Sequence, residues 1–281
     1  PVGPVKVPAP RGLDSMMVYG DKSTGHISVQ LYKSEAAGGK RKVKDLLAEE
    51  LTYREHDDVH YSGVKLSLRF ITTDSEAKLI SDDVENLCGE RSITHLKSPP
   101  RSHRYNFIEG RMKTLVSKAL SAYHYSGYPL TFFLHAFVHG AEAINILTTG
   151  VRSAEEDKAK TPFERRYGKI PHSTDLYPFG AKVYVYPTKE ERDKHTGRGR
   201  IVYYLHPHRL TPHSHDLWDP NAMDIVQRAD ELFNVLHKIT YGMEMGEQFE
   251  KRLLMHQNAR KLDEETNRQL LQLTNEQDLL G

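Results

Sequence analysis

The chain has 281 residues, with 39 Lys and Arg against 38 Asp and Glu, a net charge of +1 and a charged fraction of 27%. That length leaves room for one large core and a smaller appended module, and the balanced charge rules out a polybasic or polyacidic chain overall. No apolar run is long enough to cross a bilayer, so no membrane partner is expected. A single cysteine, Cys88, excludes an intrachain disulfide framework and a thiolate zinc site, and leaves a buried thiol as its reading.

In chain order, apolar alternation predicts strands near 14–19, 26–32, 64–72 and 93–97, and helical spacing predicts helices near 40–54, 81–89, 106–125 and 130–148. Lys40, Arg41 and Lys42 form a basic run at a helix start, able to touch phosphates but equally readable as a solvated helix end. Pro99 to Arg104 reads as an exposed basic loop. In the following helix Ile108, Met112, Leu115, Val116, Ala119, Leu120 and Tyr123 make an apolar stripe bordered by Glu109. A charged connector, Arg152 to Lys160, leads to strands near 181–187 and 199–205 separated by a polar loop. From about 221 onward the spacing of Ile225, Ala229, Leu232, Phe233, Leu236 and Ile239, and then of Phe249, Leu253, Leu254, Leu262, Leu270 and Leu273, predicts helices whose apolar faces need a partner.

Several of these segments resemble, as an ordered series, the Ty1/copia-type retrotransposon integrases. Gly3-Pro4-Val5 resembles the end of the Asp-x-x-Gly-Pro motif that opens the family's catalytic core, which would put the first catalytic Asp one position before Pro1. Tyr19 to Thr24 resembles the passage into the second strand, making Asp21 a strand residue rather than a metal ligand. Leu68 to Asp74 resembles the apolar strand that ends in the second catalytic Asp, although Ser75-Glu76-Ala77-Lys78 departs from the Asn and glycines expected after it. Glu109 to Leu115 resembles the helix carrying the catalytic Glu, with 34 residues between Asp74 and Glu109. A competing register sets Gly110 on that Glu and Arg111 on the Arg after it, removing the acid. Ser126 to Phe133, Asn145, Thr161-Pro162-Phe163-Glu164, Tyr177 to Val185, Gly199 to Tyr204 and Leu217-Trp218-Asp219-Pro220 continue the likeness to about residue 220.

The resemblance implies an α/β fold with an RNase H-like, retroviral-integrase-type core over 1–149, a connector over 150–175 and a small SH3-like β-barrel over 176–220; the helical extension over 221–281 lies beyond it. It implies Asp74 and Glu109 as ligands for Mg²⁺, gripped as a pair across a phosphodiester, and nucleic-acid contacts from Arg101, Arg104, Arg111 and Lys113 beside the cleft. It also implies a His-His-Cys-Cys zinc module ahead of the core, which one cysteine cannot build. Beginning at Pro1, the chain reads as a processed product, a polyprotein fragment or a partial record.

Simpler readings exist for other residues. His206, His208, His213 and His215 could bind zinc, with a solvated loop as the plainer account. Tyr184, Tyr186, Tyr203 and Tyr204 alternate as barrel core, with base stacking as the functional alternative. Phe132 and Phe133 read as core.

Two functions follow. One is a domesticated integrase fold, silent as an enzyme, serving as a nucleic-acid-associated subunit of an assembly such as a mitochondrial ribonucleoprotein, with RNA as ligand and protein partners on the 221–281 helices. The other is part of an active, nuclear, Mg²⁺-dependent DNA strand transferase. The missing first acid, the eroded motifs, the absent zinc module and the apolar tail favour the first.

Overall fold

The structure is a computed structural model describing residues 9–34, 38–39, 41–62, 68–73, 79–97, 107–147, 160–171, 176–185, 199–209, 211, 214–229 and 231–233. Strands β1 (Ser15–Gly20) and β2 (Ile27–Tyr32) form an antiparallel hairpin in which Ser15 faces Tyr32 and Gly20 faces Ile27. Its turn is closed by Asp21, whose carboxylate accepts from the Ser23 amide and hydroxyl at 2.9 and 2.6 Å and from the Thr24 hydroxyl at 2.8 Å. Such self-bonding turns are what an Asp followed by hydroxyl residues encodes. Asp21 thus caps a hairpin rather than continuing a strand.

Helix α1 (Val43–Ser62) leads to β3 (Phe70–Thr73), α2 (Asp82–Glu90) and β4 (Thr94–Lys97). The two strands pair in parallel, Phe70 opposite Thr94, as a strand–helix–strand unit requires. Leu47 and Leu51 of α1, Val84, Leu87 and Cys88 of α2, and Ile93 make one buried cluster against which Tyr19 and Ile71 pack. Cys88 is a buried free thiol, as its lack of partners predicts.

Helices α3 (Phe107–Ser126) and α4 (Phe133–Ile146) are joined by a tight turn and a short 3-10 segment, Leu130–Phe132. They approach closely because Gly140 faces the Ala119 backbone, where a Cβ would lie 3.2 Å from the amide nitrogen. The other side of α4 lies on β2. There Asn145, fully buried, accepts from the Ile27 amide at 2.9 Å and donates to the Ile27 carbonyl at 2.8 Å. One side chain supplies the partners that a neighbouring strand would otherwise give.

After α5 (Pro162–Tyr167) come β5 (Lys182–Val185), β6 (Arg200–Pro207), β7 (His215–Asp219), β8 (Asp224–Arg228) and β9 (Glu231–Phe233), forming an antiparallel sheet in the order β8-β7-β6-β5-β9. Adjacent Tyr203 and Tyr204 point to opposite faces, yet both are buried. Tyr203 joins the main core with α3, α4, β1 and β2, and Tyr204 joins a second cluster with Val183, Val185, Val202 and Leu217. Tyr184 is partly exposed, and Tyr186 lies outside the described residues.

The helical expectation fails over 224–233. Ile225 lies in β8, paired with Trp218, and Leu232 and Phe233 lie in β9, paired with Tyr184 and Val183. The spacing of 225, 229, 232 and 233 imitates a helical stripe, but turn chemistry overrides it. Asp219 accepts from the Asn221 and Ala222 amides at 2.9 and 3.3 Å, and Met223 takes a φ of 54°, closing the β7–β8 hairpin. Residues 234–281, with the remaining apolar positions of the expected extension, lie outside the described residues, as do most of the 152–160 connector and the polar loop after β5. No described helix is long and apolar enough to cross a membrane.

Candidate functional site

The family-like segments converge in space. Tyr128 and Phe132 of one motif meet Phe179 and Trp218 of two others in one aromatic cluster, with centroids 4.5 Å apart for Tyr128–Phe132, 5.0 Å for Tyr128–Phe179 and 4.9 Å for Phe132–Trp218. Tilted and edge-on arrangements of this kind suit aromatic quadrupoles. Phe132 is fully buried and Phe133 packs against the same core, as expected of both.

Glu109 sits in the first turn of α3, where the positive end of the helix dipole favours a carboxylate. Phe107 and Ile108 press that turn onto the end of β1: a Cβ on Gly20 would lie 2.5 Å from Ile108 Cδ1 and 3.1 Å from Phe107 Cε1. Held against the hairpin in this way, Glu109 has its Oε2 sealed from solvent.

Arg111, one turn after Phe107, lays its guanidinium 5.3 Å from that ring's centroid. Its Nη2 occupies the space beside Gly25, 2.5 Å from where a Cβ would stand, at a residue whose φ of +80° already favours glycine. Helix α5 closes the same turn from the other side. A capping box orients it, with the Thr161 hydroxyl accepting from the Glu164 amide at 3.0 Å and the Glu164 carboxylate from the Thr161 amide at 2.7 Å. Arg166 Nη1 then lies 3.7 Å from Asp21 Oδ2. Burial, and after it the Arg165 charge, push the Arg111 guanidinium below its ordinary value. Burial would raise the Asp21 carboxyl, but hydrogen bonds from Ser23 and Thr24 outweigh it and hold the group low.

The structure thus brings Arg111 to the hairpin turn, keeps Glu109 in the first turn of α3 and leaves Lys113 exposed on the same helix. Arg41 and Lys42 are exposed at the start of α1, ion-paired to Glu49 at 2.5 Å and Asp83 at 3.7 Å. Asp74 follows β3 directly in sequence but lies outside the described residues, as do Lys40, Arg101 and Arg104. Among the described residues, no group of three His, Cys, Asp or Glu is placed to hold a metal ion.

Two features were not anticipated. The first is a buried ionic knot: Glu50, 2% exposed, accepts from Arg54 Nε at 2.6 Å and from Arg209, and Arg209 lies 4.2 Å over the Tyr53 ring. The second overturns the solvated-loop reading of the histidines. His206 is buried and stacked on His135 of α4, with centroids 5.3 Å apart. His208 Nδ1 lies 3.0 Å from Asp216, and His215 packs edge-on to Tyr204 at 5.4 Å. His213 lies outside the described residues. The separation of His135 and His139 by one helical turn was the available signal; their partners, distant in sequence, gave none.

No protein-family model matches the sequence, and no curated protein matches it. Among solved structures the chain is similar, at 16% identity and a TM-score of 0.38, to a chain of the simian T-cell lymphotropic virus intasome in complex with PP2A regulatory subunit B56 gamma, over 68% of this chain and 62% of that one. It is similar at 16% identity to the HTLV-2 integrase catalytic core domain in complex with magnesium, in its trimeric form (TM-score 0.37) and its dimeric form (0.34). Each of these two matches covers 54% of this chain and 83% of the other.

Proposed function

We propose that this chain is an integrase-like protein, domesticated and silent as an enzyme, that serves as a nucleic-acid-associated subunit of a larger assembly such as an organellar ribonucleoprotein. The ordered motifs and their convergence on one core support the integrase likeness, and the β5–β9 sheet overlaps the stretch for which the resemblance implies an SH3-like barrel. The observation that carries silence is the erosion of the motifs around the two acids, Ser75-Glu76-Ala77-Lys78 after Asp74 and Tyr105-Asn106-Phe107-Ile108 before Glu109. Glu109 is only partly exposed, with Oε2 sealed from solvent, which leaves at most one of its oxygens open to a Mg²⁺ ion that keeps several of its waters. The exposed Lys42 and Lys113, with Arg41, Arg111 and the loop bearing Arg101 and Arg104, would supply a salt-sensitive contact to phosphates, RNA in an organellar complex. The 234–281 segment would carry protein partners.

One observation favours the active reading. Asp74 follows strand β3 directly in sequence and Glu109 lies in the first turn of α3, as the resemblance expects of two metal-gripping acids.

The test is Mg²⁺- or Mn²⁺-dependent strand transfer on a blunt DNA duplex, comparing the full protein with Asp74→Asn and Glu109→Gln. Equal inactivity of all three, with the fold intact, is the expected outcome. Metal-dependent joining that both substitutions abolish would establish the enzyme instead.

A further inference from the structure

We propose that Arg111 of α3 and Arg165 of α5, brought together beside the turn of the β1–β2 hairpin, form a seat for one phosphate group. The seat deepens the nucleic-acid contact proposed for Arg111, and it rests on that reading only for the source of the phosphate, a strand's phosphodiester as against a free phosphate.

The two arginines are far apart in sequence, so the fold builds the pair. Gly25 marks the meeting place: a Cβ there would lie 2.5 Å from Arg111 Nη2 and 3.9 Å from Pro162 Cγ, at the start of α5. A residue without a side chain is what leaves room for the guanidinium. The closed capping box fixes the direction in which α5 leaves that point, and with it the position of Arg165.

Arg111 is an unmatched cation within reach of solvent. Phe107 covers one face of its guanidinium. Among the described residues no acceptor meets the group, yet none of its nitrogens is sealed from solvent and the side chain is partly exposed. Partial burial penalises a charge that lacks a counter-charge, and the neighbouring charge that acts on it is another cation, Arg165, itself partly exposed. Asp21 is matched by Arg166 and by the Ser23 and Thr24 hydroxyls, and Glu164 closes the capping box, so neither acid serves as the counter-charge. Two like charges held side by side repel, and an anion between them turns the repulsion into two attractions.

Geometry selects the anion. A guanidinium is a planar fork of N–H donors that matches two oxygens on one centre. A carboxylate has its two oxygens in one plane, which a single fork exhausts. A phosphate spreads its oxygens tetrahedrally, so a second fork arriving from another helix still finds an acceptor. Lys22, exposed in the same turn, and Lys113, exposed on α3, stand to either side for the next phosphates of a strand.

The experiment measures, by fluorescence anisotropy over a range of salt, the binding of short labelled single-stranded RNA and DNA to the full chain and to Arg111→Gln, Arg165→Gln, Arg111→Lys and the double glutamine variant. The phosphorus-31 linewidth of inorganic phosphate is followed with the same proteins. Each glutamine variant should weaken the strand by about tenfold, the loss of a charged hydrogen bond, and Arg111→Lys, which keeps the charge without the fork, should recover only part. Arg165→Gln, on a short helix outside the main core, keeps the test open if Arg111→Gln disturbs α3. Because both side chains grip one phosphate, the slope of log K against log salt should fall in the double variant by about 0.7, one single-strand phosphate, and not by about 1.4. A fall of about 1.4 overturns the shared seat, since the arginines then hold separate phosphates. Strand binding indifferent to either arginine also overturns it and leaves the nucleic-acid reading standing. Broadening of inorganic phosphate that both glutamine variants remove, in a chain that binds no strand, would keep the seat for a free phosphate and remove that reading. A chain that binds neither strand nor phosphate overturns both.

Discussion

Helix α4 has two sides built on different principles. Toward α3 it is small and dry, with Gly140 and Ala141 against Ala119 and Leu115. Toward β2, the 176–178 segment and β6 it is polar: Asn145 brackets Ile27, His139 donates to the Tyr177 carbonyl at 2.8 Å, and His135 donates to His206. The dry side is held by area and tolerates a lapse in any one contact, whereas the polar side is held by directional bonds whose loss strands a buried group. The difference makes the polar side the sensitive one.

Acid should expose that sensitivity most strongly. Burial holds His26, His135, His139 and His206 below their ordinary value, His139 to about 4. Folded values below unfolded ones mean that the unfolded chain binds protons first. The histidine contribution is therefore complete above about pH 6.5 and drains as pH falls toward 4, roughly 3 kcal/mol from His139 alone. Asp14, Asp21 and Asp216, held low in the fold, lose their share only at more acid pH. Urea midpoints measured from pH 7.5 to 4 should fall steadily through this window. A flat profile down to pH 5 would show that the polar side is not the weak one.

Substitution on each side sharpens the contrast. Asn145→Leu keeps volume but leaves the Ile27 amide and carbonyl buried without partners, for a loss of about 3 kcal/mol. Gly140→Val drives a branched side chain into the Ala119 backbone and should cost about 2 kcal/mol, with α3 shifting to relieve it. Chemical denaturation of both variants, with hydrogen exchange at Ile27, checks the order and the mechanism; protection at Ile27 should drop in the first and persist in the second.

The same division explains what the sequence disclosed. The α3 stripe of Leu115 and Ala119, the strands around Val18 and Val29, and the partnerless Cys88 could be read because local periodicity and composition carry them. Asn145 and the Tyr128–Phe132–Trp218 cluster could be placed only through the ordered motifs. The partners of Glu50 and His135 were illegible, since Arg209 lies 159 residues from one and His206 lies 71 from the other, and no local pattern encodes such pairings. At 224–233 periodicity misled outright, because a hairpin closed by Asp219 can carry apolar residues at helical intervals. Glu109 was legible as a candidate, but the packing of its helix turn onto β1 depends on Gly20, Phe107 and Ile108 meeting, which spacing does not reveal.

The smallest effect belongs to the turn that closes over Asp21. Thr161→Ala removes the hydroxyl that accepts from the Glu164 amide and dismantles the capping box of α5, a helix of only six residues. Global stability should fall by about 1 kcal/mol, less than on the polar side of α4. The local consequence should be larger than the global one, because α5 carries Arg166 to Asp21 and sets Pro162 3.9 Å from the site of a Cβ on Gly25. With its cap gone, that side of the hairpin turn should open. Amide exchange at Gly25 and His26 should accelerate while Ile27, bracketed by Asn145, stays protected. Equal acceleration at all three would mean that α5 and α4 hold the hairpin as one unit, and that dry and polar supports are not separable there.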